Sequence, residues 1–276
     1  MMNKRVLFLL DLEGVNNVKG VPYEGLSFGT EEHKKAVAQA VLEVNAAAQA
    51  LFDIGVASVD LWDNHGGGGN VDHALLDKRI NLLAPDKRKP RLYFAKDAYD
   101  CVCFFGYHAM EGTLGGVLAH TMNSKKIQFY KINGKYVGEV DIDSYIAAAY
   151  GIPACFFAGG DIACAQARRA LPDIVTVVTK REISRNEAEF RDNGELLADI
   201  RNGVVKAVQK QIAPKVLEFP AKFEKSYKRI EDTAIYLKRL LERGISAEYL
   251  KDDILGRDAH TVVSVIHDIT EFAACI

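Results

Sequence analysis

The feature that most constrains the fold of this chain is its alternation of short apolar runs with helical patterns. Glu31–Phe52 carries apolar residues at the spacing of a helix face, and Gly55 marks the end of that helix. Short apolar runs typical of buried strands occur at Val6–Leu10, Val56–Trp62, Cys101–Phe105, Ala154–Phe157 and Ile174–Val178. This rhythm predicts an α/β protein in which a largely parallel sheet lies between two helical layers, a three-layer α/β/α architecture.

A hairpin and a different C-terminal third interrupt this rhythm. Ile127–Ile132 and Tyr136–Val140 flank an Asn-Gly pair at 133–134, which predicts an inserted antiparallel β-hairpin. The C-terminal third is more charged, and Asn193–Gln211 and Glu224–Arg243 have the pattern of amphipathic helices. We therefore predict an α/β domain over residues 1–181 and a smaller, helix-rich subdomain over residues 182–276.

The charge balance argues against two classes of partner. The 276 residues include 35 basic and 37 acidic side chains, which leave a net charge of −2 without the footprint of a nucleic-acid or membrane-surface protein. No run approaches the roughly 18 apolar residues of a membrane span, and the first apolar run stops at Asp11, too early for a secretory signal. An odd number of cysteines without a C-x-x-C pair predicts reduced thiols that mostly fill core space in the cytoplasm: Cys101, Cys103, Cys155, Cys164 and Cys275.

Polar side chains follow several predicted strands at the point where each strand ends. Asp11 and Glu13 come directly after the first strand, His65 follows the second, and His108 follows Cys101–Phe105. The carboxyl ends of parallel strands meet at one edge of a sheet, so these side chains are expected to lie close together. Carboxylates combined with imidazoles suit zinc or another divalent transition metal better than calcium or magnesium.

Each of these residues also has a simpler interpretation. Asp11 could be the N-cap of a helix and Glu13 an acidic residue of its first turn. Isolated histidines such as His65, His108 and His120 more often form structural hydrogen bonds than bind metal. Glu139 lies in the second strand of the predicted hairpin, where burial requires a partner such as a cation or an arginine. The metal interpretation depends on the histidines occurring at strand ends together with the acidic pair.

Taken in chain order, the motifs around these residues resemble the DppA-type D-aminopeptidases, a family of dinuclear zinc metallopeptidases. The resemblance runs from about residue 5 to about residue 187 and fades through the C-terminal third. It is carried by Asp11-Leu12-Glu13-Gly14, Asp63-Asn64-His65, Phe105-Gly106-Tyr107-His108-Ala109, Gly116-Val117-Leu118-Ala119-His120-Thr121-Met122, Ile132-Asn133-Gly134, Val137-Gly138-Glu139, Ala158-Gly159-Gly160-Asp161 and Ile183-Ser184-Arg185.

The resemblance implies a role for each candidate residue. Asp11 would bridge two zinc ions in each subunit, with Glu13 and His65 as ligands on one side of the pair. His108 and Glu139 would be ligands on the other side. His120 matches the family's catalytic histidine, a nucleophile or a proton-transfer group. Implied with these roles are hydrolysis of the N-terminal amide of short peptides or amino-acid amides, a preference for D-residues, and a ring-shaped homo-oligomer.

Two other functions fit the same residue types. A dinuclear phosphoesterase uses the same aspartate, glutamate and histidine ligands. A non-catalytic peptide-binding module could use the same cleft without chemistry. Hydrolysis of a phosphate ester instead of peptides would identify a phosphoesterase. Binding of a dipeptide that stays intact in the presence of metal would identify a binding module.

Overall fold

The elements of the fold follow the predicted alternation of strands and helices. The computed structural model describes residues 4–84, 86, 89–97 and 99–276. Its strands, numbered in chain order, are β1 Arg5–Leu10, β2 Ser58–Asp63, β3 Ile80–Leu82, β4 Cys101–Tyr107, β5 Ile127–Ile132, β6 Lys135–Val137, β7 Ala154–Gly159, β8 Val175–Val178, β9 Lys180–Ser184, β10 Glu187–Phe190, β11 Ala221–Tyr227, β12 Ala247–Asp252 and β13 Gly256–Ile266. Its α-helices are α1 Glu31–Asp53, α2 Glu139–Ala149, α3 Asp161–Ala170, α4 Asn193–Gln209, α5 Ile230–Glu242 and α6 Ile269–Cys275.

A parallel sheet of six strands forms the centre of the molecule. Its strand order is β3-β2-β1-β4-β7-β8, and every neighbouring pair is parallel. The chain passes from β1 to β2 and β3 on one side and then crosses to β4 on the other side of β1. This change of direction creates a topological switch point between β1 and β4, where open α/β sheets bind their ligands. The predicted α/β class with a largely parallel sheet is confirmed.

Alternating side chains of the strands build a core on both faces of this sheet. Val6 and Phe8 of β1 pack in a cluster with α1 and α4, whereas Leu7 and Leu9 belong to a second cluster with α2 and α3. Both faces of a parallel sheet must be covered, which explains why its central strands β1, β4 and β7 are almost entirely apolar rather than alternating. Among the described residues, none of the helices has the length and apolar character that a membrane crossing needs.

The predicted hairpin belongs to a second sheet rather than to the parallel one. Strands β5 and β6 are joined at Asn133 and Gly134, whose φ angles of 50° and 78° suit a tight two-residue turn. β5 also pairs with β11, and the antiparallel order of this sheet is β12-β13-β11-β5-β6. Phe223 of β11 belongs to the same buried cluster as Leu7 and Leu9 of β1, so the second sheet shares a core with one face of the parallel sheet.

The C-terminal third is helical only in part. Asn193–Gln211 is confirmed as a helix, α4, which packs on α1 and covers β7 and β8. The prediction of one helix over Glu224–Arg243 is wrong, because its first residues belong to β11 and only the remainder forms α5. β11 lies between β5 and β13, and pairing on both sides overrides the charged residues that suggested a helix. The division predicted after residue 181 falls within β9 and stays a prediction.

Candidate metal centre

The candidate residues gather at the carboxyl ends of β1, β2 and β4, at the switch point of the parallel sheet. Asp11 directly follows β1, His65 follows β2, and His108 directly follows β4. Because β1 lies between β2 and β4, Asp11 stands between the two histidines. Residues that are far apart in the sequence are thus brought to one place by strand order alone.

The loops after β1 and β4 are joined by backbone contacts. The Asp11 N–H donates to the carbonyl of Phe105 at 2.8 Å, and the Gly14 N–H donates to the carbonyl of Gly106 at 2.7 Å. Gly106 has a φ of 68°, and a Cβ at this position would overlap the carbonyl oxygen of Asp11. The absence of a side chain at Gly106 therefore lets the two loops approach each other closely enough to place Asp11 beside His108.

Asp11 presents one carboxylate oxygen to each side of the site. Its Oδ1 lies 2.9 Å from Nδ1 of His65, and the same nitrogen lies 3.1 Å from Oε2 of Glu13. Its Oδ2 lies 3.4 Å from Nε2 of His108. The two oxygens of a single buried carboxylate therefore face two different histidines, His65 and His108.

Glu139 completes the side of the site that contains His108. Its Oε1 lies 3.5 Å from Nε2 of His108. The prediction that Glu139 lies in a hairpin strand is wrong: β6 ends at Val137, and Glu139 is the first residue of α2. The helix starts here because Gly138 precedes it and the Asp141 carboxylate accepts a hydrogen bond from the Gly138 N–H at 2.9 Å.

The two histidines on this side both direct a free Nε2 toward the carboxylates. Nδ1 of His108 donates to the carbonyl of Ala109 at 2.9 Å, and Nδ1 of His120 donates to the carbonyl of Leu118 at 2.9 Å. The proton is thereby held on Nδ1, and the Nε2 lone pairs are available. The rings stack with centroids 4.0 Å apart, and Nε2 of His120 lies 3.8 Å from Oε1 of Glu139. The buried Nε2 of His108 has no hydrogen-bond partner among the described residues.

The segment that carries His120 is held in a strained conformation. Leu118 and Met122 have φ angles of 50° and 60°, which cost on the order of 1–3 kcal/mol each for residues other than glycine. Arg185 holds this segment, since its carbonyl accepts from the Leu118 N–H and its guanidinium donates to the carbonyl of residue 119 at 2.7 Å. The Met122 N–H donates to Oε1 of Glu139 at 2.7 Å, which couples His120 to the rest of the site.

The site concentrates negative charge in a buried position. Asp11, Glu13 and Glu139 are all buried. Burial opposes a charged imidazole, yet the charges of Glu13 and Asp11 raise the pKa of His65 to about 11. Burial alone would raise the pKa of Asp11, but the adjacent His108 and His65 hold it well below its usual value. The cluster therefore requires positive charge, which protons or metal cations can supply.

The donor atoms fit divalent metal ions. The ligand atoms of Asp11, Glu13 and His108 lie within 4.8 Å of one another, and so do those of His108, His120 and Glu139. Carboxylate oxygens and neutral imidazole nitrogens are ligands that zinc accepts. The unpartnered Nε2 of His108, which lies between Asp11 and Glu139, is the atom whose orientation is best explained by a metal ion.

Sequence reasoning missed the buried ion pair behind Glu139. Arg91 makes two contacts with the Asp143 carboxylate, at 2.5 and 2.8 Å, and lies 3.8 Å from Oε2 of Glu139. The Tyr107 hydroxyl donates to Asp143, and Asn64 accepts from the Arg91 guanidinium. A carboxylate within the apolar run of α2 was a sequence signal for Asp143, whereas Arg91 had none. Arg91 and Leu92 directly precede a 3-10 turn at Tyr93–Asp97.

A buried lysine supports the loop that carries the acidic pair. The Nζ of Lys180 is fully buried and donates to the carbonyls of Glu13, Val15 and Val18, at 2.5, 3.1 and 2.5 Å. Burial lowers the pKa of Lys180 to about 8. Beneath the same loop, Glu43 of α1 accepts from the Asn16 N–H at 2.9 Å. These polar contacts fix the path of the chain between β1 and α1.

Two further acidic residues at this edge serve the loops and are not among the clustered ligand atoms. The Asp63 carboxylate accepts from the N–H groups of Asn70 and Val71, which closes the glycine-rich loop that begins at His65. The Asp161 carboxylate accepts from the Glu182 N–H at 2.8 Å. Asp63 thus positions His65 indirectly, and Asp161 connects α3 to β9.

A comparison with known proteins decides the family. The family model described as D-aminopeptidase matches residues 4–235. This chain belongs to the D-aminopeptidase family. The D-aminopeptidase of Bacillus subtilis (strain 168) is 28% identical over 178 residues, which are 64% of this chain and 64% of that protein. The aligned region therefore spans slightly less than two thirds of this relative.

A solved structure shares the fold over nearly the whole length. It is the Zn-dependent D-aminopeptidase DppA from Bacillus subtilis, described as a self-compartmentalizing protease, and it is 21% identical with a TM-score of 0.86. The match covers 98% of this chain and 94% of that protein. The D-aminopeptidase fold thus extends through the C-terminal third, where the sequence resemblance fades.

Proposed function

We propose that this chain is a zinc-dependent aminopeptidase that hydrolyses the N-terminal amide bond of short peptides or amino-acid amides, with D-residues preferred. Membership of the D-aminopeptidase family supports the reaction class. The Zn dependence of the DppA protease, which has the same fold, supports the choice of metal. The preference for D-residues has its support in the family alone.

The shared carboxylate of Asp11 carries this proposal. Its two oxygens face different ligand groups, His65 with Glu13 on one side and His108 with Glu139 on the other. We infer that Asp11 bridges two zinc ions in each subunit and that these four residues complete their coordination. Three carboxylates carry a charge of −3, so two divalent cations and one hydroxide leave the buried site close to neutral.

The protein side chains divide the remaining work. A pair of zinc ions bound at this site would polarise a bound carbonyl and would lower the pKa of a water molecule toward 7. His120 lines the cavity above the site and keeps its proton on Nδ1, so its Nε2 can accept a proton from the water and return it to the leaving amine. In its protonated form, the same imidazole stabilises a developing oxyanion.

The cavity beside the site suits a short peptide. Its volume is about 490 Å³, within the usual range for small-molecule sites. Phe28, Leu118 and Met122 supply apolar surface, while Lys125 and Arg185 supply positive charge. A peptide of two or three residues fits such a space.

The variant Asp11→Asn tests the proposal. It keeps the size of the side chain but removes the charge that two cations would share, so we expect zinc content to fall and amide hydrolysis to drop below detection. Elemental analysis measures the bound metal, and hydrolysis of D-alanine amide measures the activity. Asp60→Asn changes another buried aspartate, whose partners are Tyr99, Asn81 and Arg5, and should retain zinc. Wild-type turnover in Asp11→Asn contradicts the proposal.

Substrate panels separate the remaining functions. D-alanyl and L-alanyl amides should differ in kcat/KM in favour of the D-form, and a generic phosphate ester should be left intact. Rapid phosphate release with no amide hydrolysis would assign the site to a phosphoesterase. Tight binding of a dipeptide that stays intact with zinc present would assign it to a binding module.

We further propose a cytoplasmic homo-oligomer of ring shape. All five cysteines are free thiols, which is consistent with a reducing compartment. Leu114 and Phe28 are exposed apolar side chains, and surfaces of this kind are common at interfaces between subunits. Light scattering on purified protein tests the assembly, and a monomeric mass at micromolar concentration contradicts it.

A further inference from the structure

Three thiols meet at the end of the parallel sheet opposite the candidate metal centre. Cys101 and Cys103 lie two residues apart on β4, so their side chains point to the same face, and Cys155 lies on the neighbouring strand β7. The sulfur atoms of Cys103 and Cys155 are 3.5 Å apart, and all three sulfurs lie within 4.8 Å of one another. Three of the five cysteines of the chain thus form one cluster.

The spacing of these sulfur atoms matches a metal site. Zinc–sulfur bonds of about 2.3 Å with tetrahedral angles place neighbouring thiolates roughly 3.8 Å apart. The distances of 3.5 Å and up to 4.8 Å bracket this value, so the triangle of thiols closes around an ion through side-chain rotation. A disulfide would require Cys103 and Cys155 to approach to about 2.05 Å and would leave Cys101 out.

A cavity lies directly beside two of the three cysteines. It has a volume of about 480 Å³ and is lined by Cys101, Cys155, Lys4 and Asp100, together with residues at the end of α4. Cys101 and Cys155 are 4% and 2% exposed and form its wall, whereas Cys103 is fully buried behind them. An ion can therefore enter from this side, and a water molecule in the cavity can supply a fourth ligand.

Charge balance selects a divalent ion. Three thiolates and one divalent cation leave a charge of −1. The positive charge of Lys4 acts on both Cys101 and Cys155, while the negative charge of Asp100 acts on Cys101 and increases the need for a cation. The Lys4 ammonium is held in place by the carbonyl of Val208 at 2.6 Å. A monovalent ion would leave a charge of −2 at a buried position, which is less favourable.

We propose that Cys101, Cys103 and Cys155 form a second metal site, which binds one thiophilic divalent cation of the zinc and cadmium class. This site lies at the amino-terminal edge of the parallel sheet and uses soft sulfur ligands alone from the protein. It is independent of the carboxylate and imidazole centre at the opposite edge, and its assignment does not rest on the proposed peptidase activity.

Cadmium titration of the full-length, reduced protein under anaerobic conditions tests this proposal. Thiolate ligands give bound Cd²⁺ a charge-transfer band in the ultraviolet, whereas carboxylates and imidazoles do not. We expect the band to saturate at one ion per chain in the wild type and to persist in Asp11→Asn. No thiolate band in folded wild-type protein at excess Cd²⁺ overturns the proposal, whatever the result at the other centre.

Matched cysteine variants sharpen the test. Cys103→Ser and Cys101→Ser should each weaken Cd²⁺ binding at least tenfold, and the variant at Cys101 lies on the cavity wall, where folding is least affected. Cys164→Ser is the control, because Cys164 is a buried thiol of α3 whose partners are the carbonyls of Gly159 and Val177. Equal loss of the band in Cys164→Ser, or full retention in Cys101→Ser, overturns the assignment.

Discussion

The two ends of the parallel sheet present opposite chemistry from the same strands. β4 begins with Cys101 at one end and is followed by His108 at the other, about 20 Å away over seven residues. At the carboxyl end, the metal-ligand candidates lie in loops beyond the strands or in a helix. At the amino end, the thiols are residues of the strands themselves.

This difference shows how each end tolerates burial. Asp11, Glu13 and Glu139 are charged and buried, so the protein surrounds them with an ion pair at Arg91 and a hydrogen-bonded lysine at position 180. The thiols are neutral when no ion is bound and pack as small apolar side chains. One end therefore requires a cation or protons for electrostatic reasons, whereas the other end binds a cation only when thiols lose their protons.

Removing the imidazole of His120 should have the largest effect on activity, and it should affect only the site at the carboxyl end of the sheet. We expect His120→Ala to lower kcat by about 10²–10⁴-fold, the usual contribution of a proton-transfer group, with zinc content unchanged. Steady-state kinetics and elemental analysis measure the two quantities. His260→Ala is the control, since its Nδ1 bonds to the carbonyl of Tyr227 in the second sheet. Loss of zinc together with turnover would make His120 a metal ligand instead.

Glu43, which lies beneath the loop at the carboxyl end of the sheet, should make the free energy of unfolding depend on pH near neutrality. Burial raises the pKa of Glu43 from 4.5 to about 7, so the folded protein holds a proton that the unfolded chain releases between these values. The free energy of unfolding should therefore fall as pH rises from 4.5 to 7, by about 3 kcal/mol from this group. Glu43→Gln removes this dependence. The contribution of the metal centre is the same in both proteins, so it cancels when their free energies of unfolding are subtracted.

Denaturant unfolding of both proteins across this pH range measures the effect. Relative to the wild type, Glu43→Gln should become more stable as pH rises. Glu31→Gln, at an exposed position of the same helix, should run nearly parallel to the wild type. Parallel curves for wild type and Glu43→Gln would show that Glu43 is already ionised in the folded protein at low pH.

Lys180→Met should produce the smallest of these effects, at the same end. The substitution keeps the length of the side chain but leaves the carbonyls of Glu13, Val15 and Val18 without their donor. We expect zinc affinity to fall by about 10–100-fold, the range found for residues that orient ligands. Lys225→Met, another buried lysine that donates to the carbonyl of Cys275, should lower stability without changing zinc affinity. If Lys180→Met bound zinc as tightly as Lys225→Met, Lys180 would have only a structural role.

The sequence predicts the carboxyl end better than the amino end for a physical reason. Polar residues after apolar strands lie at the same edge of a parallel sheet, so the shared edge of Asp11, His65 and His108 follows from the strand assignment, and the strand order then brings them into contact. The meeting of Cys103 with Cys155 requires knowing that β4 and β7 are neighbours, which no local pattern encodes. The three cysteines were accordingly predicted only as core filling.

Elements whose state depends on distant partners were the ones predicted wrongly. β11 looks helical in isolation because it is rich in charge, yet it is held as a strand by β5 and β13. The strong hairpin signal predicts Glu139 in a strand, but the second strand ends after three residues. Arg91 and Lys180 gave no signal, since their roles depend on carboxylate and carbonyl groups distant in the sequence.

The central claim is that Asp11 shares two cations between two ligand groups. Crystals grown with zinc and measured at the zinc absorption edge test it most directly. We expect two anomalous peaks per chain, one beside Oδ1 of Asp11 with His65 and Glu13, and one beside Oδ2 with His108 and Glu139. A single peak, or zinc bound without contact to Asp11, would contradict the account.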